Sequence, residues 1–257
     1  MVKGTVTNTV GNETGVTVNG MVATVYNGQF FVNHVPLTEG SNTITATATD
    51  TAGNTAATSI SVNANTTVPH ITLTANITSG IAPLTAYFSV TTAIPNAVST
   101  YQFDYQGDGS IDYTGSTFDN ISFTYTAEGI YYPTVIVTDS QGITYSDTIA
   151  IIVLNQANLD ALLRAKWEAM RNSLSIGDTT RALTYISSGT RTSYQEMFNA
   201  LIDQLPSIVA TQTAFTLNYI TDNIAKYKLV TIENSITYSY EVIFIKNENG
   251  LWFILEF

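Results

Sequence analysis

The chain has 257 residues, no cysteine, twenty acidic against nine basic side chains and a formal charge of −11. That length allows more than one core, and the absence of cysteine rules out a disulfide framework and a thiolate metal site. The anionic surface speaks against nucleic acid or anionic lipid as partners, and no apolar run approaches the ~20 residues of a membrane span, so no membrane insertion is expected.

The charge is unevenly placed. Before Asn155 only Lys3 is basic, against ten acidic residues; after it eight basic residues face ten acidic ones. Met1-Val2-Lys3-Gly4 leads straight into strand-like sequence without an apolar signal segment. The expectation is a leader removed from a precursor, or a piece cut from a longer chain.

Residues 1–64 read as short strands with turn punctuation. Asn19-Gly20 and Asn27-Gly28 are two-residue hairpin signals. Thr43 to Asp50 alternates Thr with small apolar residues, which suits a half-buried strand. The Val18-Asn19-Gly20 hairpin, the Glu39-Gly40-Ser41-Asn42-Thr43-Ile44 run and the Ala48-Thr49-Asp50-Thr51-Ala52-Gly53-Asn54 turn resemble bacterial immunoglobulin-like surface modules. That family usually has one more strand ahead of Gly4 to Thr9, so this module is expected to lack its first strand and to leave an edge for another chain.

A Thr/Asn-rich linker, Asn63 to Val68, precedes a second module at 69–154. Gly80-Ile81-Ala82-Pro83-Leu84, Tyr101-Gln102-Phe103-Asp104, Gly107-Asp108-Gly109, Tyr125-Thr126 followed by Gly129, and Val135-Ile136-Val137-Thr138-Asp139 resemble the polycystic-kidney-disease (PKD) domain. Phe103 stands where that family commonly has Trp, Phe123 where it often has His, and Gln106 is an insertion. A closing strand is expected over Asp147–Val153. The acidic loop is the candidate site. Asp104, Gln106, Asp108, Ser110 (through its carbonyl) and Asp112 occupy the first, third, fifth, seventh and ninth places of a calcium-loop spacing, with Gly109 at the sixth. The twelfth place holds Gly115 instead of Glu. The competing reading is an acidic turn whose carboxylates cap backbone amides.

From Asn155 the period changes to about 3.6. Leu159, Leu162, Leu163, Trp167, Met170 and Leu174 share one face, Gly177 ends the helix and Asp178 caps the next. A third helix is expected around Tyr194 to Leu205, with Ser193 and Glu196 as a capping box and Pro206 at its end. Strands follow, including one with Ile236, Tyr238, Tyr240, Val242 and Phe244 on one face, and a last strand after Asn249-Gly250. Residues 156–257 resemble the nuclear-transport-factor-two-like cone fold. That resemblance implies an open cone able to hold a ligand, with Trp167, Tyr185, Tyr194 and Tyr240 as candidate lining; the competing reading is that aromatic residues at this spacing are core.

The fold class is therefore multidomain: two all-β immunoglobulin-like sandwiches followed by an α+β cone of three helices and a curved antiparallel sheet. His34 and His70 are the only histidines, lie in different modules and lack metal-ligand spacing. Four Asn-x-Ser/Thr sequons, at Asn12, Asn65, Asn76 and Asn120, are close to chance in so Thr-rich a chain. No catalytic constellation stands out. The expected function is a non-catalytic structural or adhesive protein, extracellular or on a prokaryotic cell surface, with the β modules as stalk. Two alternatives stand beside it. One is a subunit of an extracellular filament or sheath, whose partners are other protein chains. The other is an accessory region of a secreted hydrolase that binds glycan or peptide through aromatic platforms, Tyr131-Tyr132 being the nearest candidate.

Overall fold

The computed structural model describes residues 1–8 and 13–257; Thr9, at the end of the first expected strand, and the sequon at Asn12 lie outside them. The chain forms two compact units, Met1–Leu154 and Asn155–Phe257.

The first unit begins with β1 (Val2–Thr5), β2 (Thr14–Val18), β3 (Met21–Val22), β4 (Thr24–Tyr26), β5 (Gln29–Val32), β6 (Gly40–Asp50) and β7 (Thr55–Ala64). They make two sheets, ordered β1-β5-β4 and β3-β2-β6-β7. The turns form where Asn-Gly predicts them: φ is 47° and 81° at Asn19-Gly20, and 49° and 74° at Asn27-Gly28. Two successive positive φ values give the turn twist that matches a two-residue hairpin. Val16, Val18, Phe30, Val32 and Ile44 fill the space between the sheets.

The chain continues through β8 (His70–Ala75), β9 (Ser79–Ile81), β10 (Leu84–Ala93), β11 (Val98–Asp104), β12 (Tyr113–Gly115), β13 (Ile121–Tyr125), β14 (Gly129–Tyr131), β15 (Thr134–Asp139), β16 (Thr144–Thr148) and β17 (Ile151–Leu154). Sheets ordered β13-β10-β8, β12-β11-β15-β16 and β14-β17-β9 enclose Leu73, Phe88, Phe103, Tyr125, Val135 and Val137. Period-two alternation sends Leu84, Ala86 and Phe88 of β10 inward. The closing strand over Asp147–Val153 is in fact divided. β16 pairs with β15, whereas β17 runs between β14 and β9. The chain leaves one ladder at Ile149-Ala150 to join the other, and Ile149 N–H donates to Pro133 O at the crossing. A further cluster of Phe31, Ala150 and Ile152, with Tyr26, Ile130 and Tyr132 around it, packs residues of the two β modules together.

The second unit opens with α1 (Gln156–Ser175), α2 (Thr179–Leu183), α3 (Arg191–Ala200) and α4 (Leu205–Ala210). One antiparallel meander follows: β18 (Gln212–Ile220), β19 (Ile224–Glu233), β20 (Ile236–Lys246) and β21 (Trp252–Glu256). Leu163, Trp167, Met170 and Leu174 of α1 pack on Tyr227, Val242, Phe244, Trp252 and Ile254 of the sheet. Asn155 caps α1 and Asp178 caps α2 through their side chains. Two helix boundaries depart from expectation. The N-cap of α3 is Thr190, without a side-chain cap, because its hydroxyl is drawn across to Leu255 O at 2.9 Å; Ser193 sits inside the helix. Pro206 stands in the first turn of α4, where its missing N–H costs nothing, so it begins a fourth helix instead of ending the third.

Candidate functional site

The acidic loop connects β11 to β12. Asp104 is only 5% exposed. Its Oδ1 accepts from the N–H groups of Gln106 (3.0 Å) and Gly107 (2.7 Å), and its Oδ2 from Gly109 N–H (2.8 Å). Asp108 Oδ1 accepts from Ser110 N–H, and Asp112 Oδ2 from Tyr105 N–H, each at 2.8 Å. Gly107 has φ +76°, and a Cβ there would lie 2.5 Å from Tyr132 O, so only glycine fits. Beneath the loop Tyr105 stacks on Phe123 (centroids 5.0 Å apart) and meets Phe103 edge-on, while Tyr125 Oη donates to Tyr105 O at 2.8 Å. Burial, followed by the charges nearby, pushes the Tyr125 phenol well above its ordinary pKa.

The five expected ligands therefore share one loop, but the bonds seen for Asp104, Asp108 and Asp112 go to backbone amides. Among the described residues no three His, Asp or Glu side chains are grouped to hold a metal ion. The twelfth place, Gly115, lies in β12 opposite Tyr101 of β11. From Tyr113 onward the loop continues as a strand.

Two other strand-end aspartates do the same work. Asp50 accepts from Ala52 N–H and Asn54 N–H and from the Asn54 side chain; Asp139 accepts from Gln141 N–H, Ile143 N–H and the Asn96 side chain, all at 2.9 Å. Asn54 and Asn96, respectively, hold these two carboxyls below the usual range. His34 lies 3.9 Å from Asp147, whose carboxylate also accepts from Leu73 N–H, and His70 bonds Val68 O.

In the N-terminal module the two sheets part at one corner. A groove of about 250 Å³ lies between Thr5–Thr7 and Ala56–Thr58, floored by Val16, Phe30, Ala46 and Ala48. Among the described residues β7 pairs with β6 alone. Its residues Ala56, Thr58 and Ile60 pair with Ala48, Ala46 and Ile44 and are exposed, Ile60 at 57%.

In the second unit Trp167, Phe215 and Tyr227 form a parallel ring stack, with centroids 4.9 Å and then 4.3 Å apart. Tyr227 Oη donates to Asp160 Oδ1 at 2.7 Å; Arg164 Nε holds both oxygens of Asp160, and its terminal nitrogen donates to Phe215 O at 2.6 Å. Burial, then the bond to Asp160, raises the Tyr227 phenol far above neutral pH. The Asp160/Arg164 spacing of four was the signal for this tie; the tyrosine, 67 residues away, had none. The four expected lining residues do not all meet at one site. Trp167 is buried in the core, Tyr194 stacks on Phe257 at 4.7 Å, Tyr185 is half-buried, and Tyr240 is 45% exposed on β20. Tyr131 packs against the core of the second β module, and Tyr132 lies edge-on to Phe31 with Lys3 over its ring.

The family model described as glucodextranase, domain B, matches residues 1–66. No curated protein matches the chain. Among solved structures it is similar to the PKD domain of a peptidase from a Thermoplasmatales archaeon, at 20% identity over 34% of this chain and 96% of that one, with TM-score 0.26. It is similar to fibronectin(III)-like modules of CbhA from Clostridium thermocellum, at 15% identity over 56% and 78%, with TM-score 0.27. It is also similar to a tetra-tandem repeat in the extending region of a large adhesion protein, at 14% identity over 99% and 69%, with TM-score 0.24.

Proposed function

We propose that this chain is a non-catalytic structural or adhesive protein of a prokaryotic cell surface, with its β modules as a stalk and the C-terminal α+β unit, read as a nuclear-transport-factor-two-like cone, carried on it. The observation behind this reading is the use made of the strand-end aspartates: Asp50, Asp104 and Asp139 are each engaged by the amides of their own turn. Carboxylates spent in this way stiffen turns and leave little for acid–base work. The near absence of basic residues before Asn155 agrees with a surface-exposed stalk. Shaving intact source cells with a non-specific protease tests it: peptides from residues 1–154 are expected in the supernatant of unlysed cells, and their absence while lysed controls release them would contradict the reading.

The filament reading draws support from the open corner of the N-terminal module. An uncharged edge strand beside a groove is a template for a strand of another copy. Calcium at Asp104, Gln106, Asp108, Ser110 and Asp112 rests on spacing alone; one oxygen each of Asp108 and Asp112 is engaged by an amide. The match of residues 1–66 to a glucodextranase domain supports the reading as an accessory region of a secreted hydrolase.

A further inference from the structure

A second cavity, of about 210 Å³, lies between α1 and the start of β18, walled by Arg164, Trp167, Glu168, Arg171, Gln212 and Phe215, with Leu229 behind them. Three buried side-chain atoms of this wall have no hydrogen-bond partner among the described residues: Trp167 Nε1, Arg171 Nε and Gln212 Oε1. Buried polar atoms are nearly always satisfied, so three on one cavity wall mark a place for a polar guest.

The chemistry of the wall narrows that guest. Arg164 is held by Asp160, and Arg171 by Glu168 at 3.0 and 2.9 Å. The two cations are thus matched by two carboxylates, and the cavity offers an anion no surplus charge. It offers two N–H donors and one amide oxygen, a mixture that suits hydroxyl groups, which donate and accept at once.

Strand register supplies the second half of the site. Gln212 stands opposite Thr231, and Thr231 opposite Tyr238; Phe215 stands opposite Leu229, and Leu229 opposite Tyr240. Directly paired residues point to the same face of a sheet. Tyr238 and Tyr240 therefore share the face of the cavity-wall residues Gln212, Phe215 and Leu229, with Tyr240 one strand spacing (~5 Å) from Leu229. The two residues are 40% and 45% exposed. Polar groups in a recess beside exposed aromatic faces suit a ring that is polar at its rim and apolar on its face.

We infer that the recess at Trp167, Arg171 and Gln212, together with Tyr238 and Tyr240, binds a neutral sugar unit. This goes beyond the stalk reading and names where the glycan alternative would act; failure of the sugar site leaves the surface location untouched.

The test uses the indole N–H resonances of the full ¹⁵N-labelled chain, which has two tryptophans. D-glucose, D-galactose, D-mannose and N-acetylglucosamine are titrated separately to about 10 mM, enough to approach saturation for a Kd near 1 mM. At least one is expected to move the Trp167 indole peak saturably while the Trp252 peak stays in place. Tyr240→Ser, a surface change, and Gln212→Met should each weaken that binding about tenfold with the rest of the spectrum retained. Trp167 unmoved by all four sugars would overturn the inference. So would a response to acetate or phosphate alone, or sugar binding unchanged in both variants.

Discussion

The side-chain amide of Asn33 pairs with the backbone of Ala150 in both directions: Oδ1 accepts from Ala150 N–H and Nδ2 donates to Ala150 O, each at 2.9 Å. Ala150 is fully buried at the break between β16 and β17, so Asn33 replaces the ladder bonds that the strand gives up there. Asn33→Ala leaves both backbone groups without a partner and should cost about 1–3 kcal/mol. Urea unfolding at unchanged m-value measures it. Asn33→Asp, which keeps only the acceptor, should be no better.

Asp104 satisfies three amides from a site closed to water, whereas Asp108 satisfies one at the surface. Asp104→Ala should lower stability by about 2–4 kcal/mol and Asp108→Ala by about 0.5 kcal/mol. Melting temperature in millimolar calcium should equal that in chelator. A rise with calcium that Asp108→Ala abolishes would instead establish the ion site, since binding to the native state stabilises by mass action.

Acid should weaken the turns of Asp50 and Asp139 once their carboxyls are protonated. Both carboxyls are held below the usual range in the folded chain by Asn54 and Asn96, with turn amides adding to the effect. Their contribution is complete above the unfolded value, about 3.9, and is lost as pH falls through the lower folded value. Stability should therefore be flat from neutrality to about pH 5 and decline below pH 4. Asn96→Ala, which brings the folded Asp139 carboxyl back toward its unfolded value, should lower stability at neutral pH and move the acid-unfolding midpoint upward, as followed by near-ultraviolet circular dichroism across pH.

The β7 edge separates the stalk from the filament reading. Ile60→Lys places a charge on the exposed edge strand, a device that blocks strand addition. If copies join there, the variant should remain monomeric by light scattering at concentrations where the parent chain assembles, with the same far-ultraviolet spectrum.

Local chemistry carried most of what was legible in the sequence. Asn19-Gly20 and Asn27-Gly28 demand one turn type, and the helical period of Leu163, Trp167, Met170 and Leu174 admits one buried face. Asp104 was legible as a special residue but ambiguous in role, because a calcium loop and an amide-capped turn want the same oxygens at similar spacing. Pairings over long separations left no mark: Asn33 with Ala150, Tyr227 with Asp160, and Gln212 with Trp167 and Arg171 come together only through topology. Thr190 escaped notice because its hydroxyl serves β21 and leaves its own helix uncapped. The alternation Ile236 to Phe244 was legible too, yet it could not reveal that only Val242 and Phe244 would be buried.

The most direct test of the whole account is immuno-electron microscopy of intact source cells with an antibody raised against residues 1–154. The account predicts label on unpermeabilised cells, at the envelope surface or on structures extending from it. Label found only after permeabilisation, confined to the cell interior, would contradict it.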